Sequence, residues 1–323
     1  MSVTGAGSKV AKVSWVVAGG FAAFAAARLA GADRVRRTEN IAVPFLSFTP
    51  QMAAAAPWAA FGLRLAGRRR PATATAIAGA ALGLLVRPRR WPRPQPMASG
   101  PMLRVLTVNL FFGRADAEIV VARVRQLGAD VLFLQELTAD AVTRLKQAGL
   151  DDLMPHSLLE LWGGSAGSGI YSRYPLDEGP AIAPIRMAQP TALVELPSGD
   201  AVELICVHPA PPAPRQKGGA ARWREELASL PAPGERPRVL AGDFNATLDH
   251  AAFRDVLHRG YADAAQRTGS ALTRTWGMPE KRPVLTLDHV LTDRSCSVLA
   301  CSVHFVPGTD HRALYAEIQL PER

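Results

Sequence analysis

Cysteine is scarce in this 323-residue chain. Its three cysteines, Cys206, Cys296 and Cys301, fit no zinc-ligand spacing and no disulfide-dense framework, although a Cys296–Cys301 bridge stays open. Acids are almost missing from the first hundred residues, where Asp33 and Glu39 stand against 14 lysines and arginines. The other 23 basic residues share positions 101–323 with 26 acids, so the net charge of +9 belongs entirely to the first third. This removes the net charge as a sign of a polyanionic partner, because the later two thirds carry no basic tract of their own. Nor is there an internal repeat of solenoid period.

What the first hundred residues do have is apolar length. Val13–Ala32, Ile41–Leu63 and Pro71–Val86 stand between the basic clusters GADRVRRTEN, GRRR and RPRRWPRPQP. About three transmembrane helices are expected here, since each run approaches the roughly 20 residues a span needs and prolines 44, 50 and 57 are better tolerated in lipid than in water. Lys9 and Lys12 ahead of the first run, followed by Ala30-Gly31-Ala32, have the form of a signal or anchor. The expectation is a multi-pass cell-membrane protein with residues 101–323 outside the cytoplasm. Arg87–Pro101 would be an extended linker able to lie against anionic headgroups.

Beyond the linker the pattern changes to alternating strands and helices. Leu103–Val108, Asp130–Leu134, Gly169–Tyr171, Thr191–Leu196, Val202–His208, Arg238–Ala241, Leu287–Leu291 and Ala313–Gln319 read as strands. Helices are expected after the caps Asp116 and Thr138, around Gly219–Leu230, and near His250–His258 with Asp249 as N-cap. The fold class is therefore α/β with a mixed sheet. The domains expected are 1–100 as a membrane region and 101–323 as one folded unit.

Polar residues collect at the strand ends. Asn109 ends the first strand and Glu136 follows the second, His208 ends another, and Asp243 and Asn245 close RVLAGDFN. Asp288 opens DHVL, and Asp310-His311 precedes ALYAEI. Extended chain would point Asp243 and Asn245 the same way and Phe244 back into the protein. Alone, Gly-Asp-Phe-Asn is as readily a turn. A whole series of such residues at one edge of a sheet is how α/β proteins assemble a site.

These segments, VNLFFG, FLQEL, GSGIYSRYPL, VHPAPP, AGDFNATLDH, TLDHVL and GTDHRALYAEI, resemble the ordered motifs of the endonuclease/exonuclease/phosphatase superfamily, the deoxyribonuclease I-like proteins, over about residues 102–320. The resemblance implies a four-layer sandwich of two mixed sheets flanked by helices, and divalent-metal-dependent cleavage of phosphate esters. Glu136 would then be the principal Mg²⁺ ligand, with Mn²⁺ as the alternative, and Asn109 and Asp310 would complete or support that site. Asp243 would orient and deprotonate the attacking water beside Asn245. His311, held in one tautomer by Asp288, and His208 would contact phosphoryl oxygens. His289 is taken as structural or peripheral, and His250 receives no role.

The substrate class is left open between nucleic acid and a phospholipid or sugar phosphate. Arg215, Lys217, Arg222 and Arg224 are the only basic residues placed to flank the site of a nuclease. A tether to the membrane would favour a lipid ester. A catalytically inactive scaffold on a membrane stalk is the reading from another class, and the intact set of acids and histidines speaks against it. No protein partner is implied.

Overall fold

The computed structural model describes residues 3–183, 185–213, 218–278 and 281–322, and Arg215 and Lys217 lie outside the described residues. The chain opens with α1 (Val3–Ala30), α2 (Glu39–Leu46), α3 (Thr49–Leu65) and α4 (Arg69–Val86), with short 3-10 turns at Ala32–Arg34 and Arg87–Arg90. There follow β1 (Met102–Asn109), α5 (Ala117–Leu127), β2 (Val131–Gln135), α6 (Ala139–Gln147), α7 (Leu150–Leu153), β3 (His156–Glu160), β4 (Ser168–Ser172) and β5 (Leu176–Glu178). The second half runs β6 (Thr191–Glu195), β7 (Ala201–Val207), α8 (Gly219–Ser229), β8 (Arg238–Asp243), α9 (Ala251–His258), β9 (Tyr261–Asp263), α10 (Ala264–Thr268), β10 (Asp288–Asp293), β11 (Ser297–His304) and β12 (Ala313–Gln319).

Two six-stranded mixed sheets result, ordered β11-β12-β1-β2-β4-β3 and β5-β6-β7-β8-β10-β9. Each has one parallel pair at its centre, β1 with β2 and β7 with β8, and antiparallel neighbours outside it. Residues alternate between two buried faces, which is why these strands read as nearly continuous apolar runs. Val105, Phe133 and Ile170 from one sheet meet Cys206, Val239 and Val290 from the other in the central core. On the outer faces, Val120, Val124 and Leu145 of α5 and α6 cover the first sheet, and Trp223, Leu227, Phe253 and Val256 of α8 and α9 cover the second. The order is helix, sheet, sheet, helix. Cys206, Cys296 and Cys301 are free thiols.

The N-terminal third differs from the sequence expectation. Among the described residues one helix segment, Lys9–Ala30, is long and apolar enough to cross a membrane, not about three. The Ile41–Leu63 run is broken near Ser47 and Phe48 into the eight-residue α2 and the 17-residue α3. Threonines and the leading Arg69 and Arg70 keep α4 below the hydropathy of a span. Moreover, α2 lies on the sheet domain, where Val43 joins the apolar layer of α8 and α9. The Arg87–Pro101 segment is also held there: Arg93 N–H donates to Gln266 O at 3.2 Å and Gln95 Nε2 to Val298 O at 3.0 Å.

Charge fixes this docking. Asp249, read from sequence as the N-cap of α9, turns away from that helix and accepts from Arg28 Nε at 2.8 Å and Arg89 Nη1 at 2.8 Å. His250 takes the N-cap position instead, and the orphan Ala251 N–H is satisfied by Asp33, a residue 218 positions earlier. The exposed pair Arg34–Asp255 and the pair Arg224–Glu39 extend the same seam.

Candidate active site

Backbone register brings the site together. β8 and β10 are aligned so that Asp243 lies directly opposite Asp288. Two like charges at facing positions destabilise a ladder unless a cation sits between them, and the cation is His311. Its Nδ1 lies 2.9 Å from Asp288 Oδ2, and its Nε2 lies 3.6 Å from Asp243 Oδ2 and 3.9 Å from Asp310 Oδ1. Burial disfavours the imidazolium, but Asp288, Asp243 and Asp310 outweigh it and raise the His311 pKa to about 10. Asp243 is pushed up to about 7, chiefly by burial with a further push from Asp288, while His311, the Asn245 amide and Asn109 pull it back.

Gly-Asp-Phe-Asn forms a turn, and the turn brings both polar side chains to one cleft. Asn245 N–H donates to Asp243 Oδ1 at 2.8 Å, a side-chain turn, and Asn245 takes φ 49°. Phe244 is fully buried, as alternation requires, while Asp243 and Asn245 both line the cleft. Gly242 is needed because the backbones of β7 and β8 approach there: a Cβ at Gly242 would sit 2.0 Å from Val207 O.

Glu136 leaves β2 at φ 54°, a left-handed conformation uncommon outside glycine. Phe111 and Phe112 are also left-handed, and such outliers cluster where a site dictates the backbone. Glu136 Oε2 accepts from Phe112 N at 2.8 Å. Burial raises the Glu136 pKa, and the Phe112 amide, Asn109 and His311 oppose this. Asn109 is completely buried and braces the acids: its Nδ2 donates to Asp243 Oδ2 at 3.1 Å and Glu136 Oε1 at 3.3 Å, and its Oδ1 accepts from Phe111 N at 2.9 Å. The Thr309 hydroxyl donates to Asn109 O at 2.8 Å and accepts from His311 N at 3.1 Å, tying the two loops. His208 is buried with no partner for Nδ1 among the described residues, and burial, with His311 nearby, lowers its pKa to about 3.

The cleft is therefore lined by Glu136, His208, Asp243, Asn245, Asp310 and His311, with Asn109 and Asp288 behind it. Sequence reading missed Trp276, whose Nε1 donates to Asp310 Oδ2 at 3.0 Å, and Thr275, whose hydroxyl accepts from Asp288 N at 3.1 Å. A tryptophan beside a threonine in an irregular segment gives no periodic signal. His250 also has a role after all: Nδ1 accepts from Thr247 N at 2.9 Å and Nε2 faces Val43 O at 2.8 Å, joining this loop to α2. His289 is structural, held between Asp263 Oδ2 at 2.8 Å and Ala246 O at 3.0 Å. Arg224 is spent on Glu39 and Arg222 is also engaged, so neither is a free basic flank.

Do these residues suit a divalent cation? Asp310 Oδ1 is buried with no hydrogen-bond partner among the described residues, and Glu136 is a carboxylate whose burial has no cation beside it except the His311 ring. Oxygen donors of this kind fit a hard cation. Asp243, Asp288 and His311 also bring ligand atoms within 4.8 Å of one another. Their ligand atoms are already turned on each other, His311 Nδ1 on Asp288 above all, which suits proton handling better than ligation.

The sequence matches the Endonuclease/Exonuclease/phosphatase family over residues 106–311. The chain belongs to that family. Its members hydrolyse phosphate esters and depend on divalent metals. No curated protein matches the sequence. The fold is similar to an endonuclease/exonuclease/phosphatase from Beutenbergia cavernae DSM 12333 at TM-score 0.53 and 20% identity, covering 68% of this chain and 72% of that one. It is similar to an AP endonuclease from Archaeoglobus fulgidus at TM-score 0.53 and 16% identity, covering 66% and 98%. D. rerio TDP2, solved with a single-strand DNA product, follows at TM-score 0.52 and 16% identity, covering 67% and 98%. At these identities the likeness is one of fold.

Proposed function

We propose that the protein is a membrane-anchored, divalent-metal-dependent phosphoester hydrolase whose site is built from Glu136, Asp310, Asn109, Asp243, Asn245, His208, Asp288 and His311. The observation that carries this reading is the convergence of these residues, from six separate chain segments, on one cleft and its buried support. Glu136 and Asp310 would hold Mg²⁺ or Mn²⁺, braced by Asn109. A metal bound there supplies charge neutralisation at the phosphoryl oxygen.

The protein's own groups do the rest. Asp243, buried and with a pKa near neutrality, orients water and takes its proton. Asn245 presents its amide beside it, anchored by Nδ2 donating to Pro209 O at 3.1 Å. Asp288 fixes the His311 ring so that Nε2 faces the cleft, where the imidazolium stabilises charge as it develops on the phosphoryl group. His208 stands opposite as a neutral hydrogen-bonding ring.

The anchor rests on α1, with mean hydropathy 1.6 over its span. Lys9 and Lys12 ahead of its apolar core, with Ala30-Gly31-Ala32 after it, have the form of a signal or anchor, which leaves the catalytic domain outside the cytoplasm. Protease added to intact cells should then digest the catalytic domain.

The catalytic test uses the full chain in detergent with bis-p-nitrophenyl phosphate and Mg²⁺ or Mn²⁺. Turnover that chelation abolishes, and that Glu136→Gln and Asp243→Asn each lower by about 10²-fold or more, is expected. A folded wild type inert with both metals would refute the assignment.

A further inference from the structure

The cleft has a wall that the family domain does not supply. Pro44, Ser47 and Phe48, at the end of α2 and just beyond it, line it together with the acids, and Phe111, Met187 and Leu287 add further apolar lining. Residues 39–48 lie outside the 106–311 family match, so this wall is particular to the N-terminal region. The cavity is about 420 Å³, larger than a phosphate group alone requires. Among the described residues none of its lining side chains is a lysine or arginine. A polyanion gains its affinity from such cations, and in the described lining it would meet one imidazolium, His311, beside three carboxylates and apolar carbon.

The apolar wall continues outward. Phe48 is 41% exposed, Phe45 on the next turn of α2 is 62% exposed, and Phe112, beside Glu136, is 49% exposed. Exposed aromatic side chains continuous with a pocket mark a binding surface for apolar matter. The wall is also rigidly placed. His250 reaches the Val43 carbonyl, Ser47 Oγ lies 3.2 Å from His250 Nε2, and Glu39 is paired with Arg224. Finally, α2 touches α1, the one helix among the described residues fit to cross a bilayer, so the cleft stands beside the lipid surface that α1 would enter.

We propose that α2 and Phe48 form an alkyl-chain subsite, and that the substrate is an amphiphilic phosphate ester whose apolar chain lies along this wall while its phosphate meets the acids and histidines. The proposal rests on the phosphoester reading given above and narrows it. The bilayer holding α1 also holds the substrate, so encounter takes place at high effective concentration.

The test is a series of alkyl p-nitrophenyl phosphates, methyl, butyl and octyl, kept monomeric and given to the full chain in detergent with Mn²⁺. The scissile bond and the leaving group are constant, so only the chain varies. The expected result is kcat/KM rising by about tenfold or more from methyl to octyl, the discrimination that two or more buried methylenes supply. In Phe48→Ser, and in Phe45→Ser as a second, more exposed position, the octyl-to-methyl ratio should fall severalfold. Equal kcat/KM along the wild-type series would overturn the subsite and leave the phosphoester reading standing, and so would faster cleavage of a thymidine dinucleotide than of the octyl ester. Hydrolysis of none of these esters would overturn both.

Discussion

At the residue scale, the division of labour among the carboxylates is the point most open to experiment. Asp243, Asp288 and His311 are close enough to trap a cation, and the alternative is that they pass protons while Glu136 and Asp310 bind the metal. Asp288→Asn separates the two. The amide keeps the shape but no longer fixes or balances the His311 ring, so kcat should fall by about 10²-fold or more. Mn²⁺ affinity, read by calorimetry or electron paramagnetic resonance, should stay within about twofold of the wild type. A loss of metal affinity would move the metal to the Asp243–Asp288–His311 cluster. Legibility at this scale was high for residues at strand ends, because Asn109, Asp243 and Asp288 need only the strand register to bring them together. Trp276 and Thr275 were not legible, because their partners are reached through irregular backbone with no period to read.

At the scale of elements, the strands of the central core were evident from apolar runs, whereas β11 was not: its face carries Leu299 at 52% exposure and a register shift between Val298 and Ala300. The seam between the N-terminal region and α9 was also invisible, since Arg28, Asp33 and Arg89 meet partners far along the chain. Asp249 gives a measurable consequence. Burial alone would raise its pKa, but Arg89 and Arg28 outweigh burial and hold it below the usual carboxylate range. A depressed folded-state pKa means stability that is fully present above the unfolded value of about 3.9 and is lost as pH falls through the folded value. Asp249→Asn should therefore cost about 3 kcal/mol at pH 7, where it strands two buried guanidiniums. The gap between the variant and wild type should narrow below a pH of about 4. Thermal unfolding at a series of pH values checks this, and a gap of constant size would contradict it.

For the molecule as a whole, composition suggested a membrane piece and a separate enzyme joined by a linker. In the structure residues 31–48 and the segment from Arg87 lie on the catalytic domain, and Val43, Pro44, Ser47 and Phe48 supply part of its cleft. Ala-rich helices gave no sign of this, since an apolar face reads the same whether lipid or protein covers it. A fragment beginning at residue 101 should accordingly melt well below the full chain, and it should bind a fluorescent apolar dye such as ANS through the uncovered surface over α8 and α9. Equal melting temperatures would show that the docking contributes little.

The Arg28–Asp249 contact joins residues 221 positions apart. During synthesis α1 leaves the ribosome long before β8 exists, so Arg28, Asp33 and Arg89 must wait for most of the chain to be made. Closure over so long a separation comes late in folding. On the proposed membrane reading, the cleft wall is then completed only after α1 has had time to reach the bilayer. Assembly order would thereby withhold the proposed alkyl-chain subsite until the domain stands at the lipid surface.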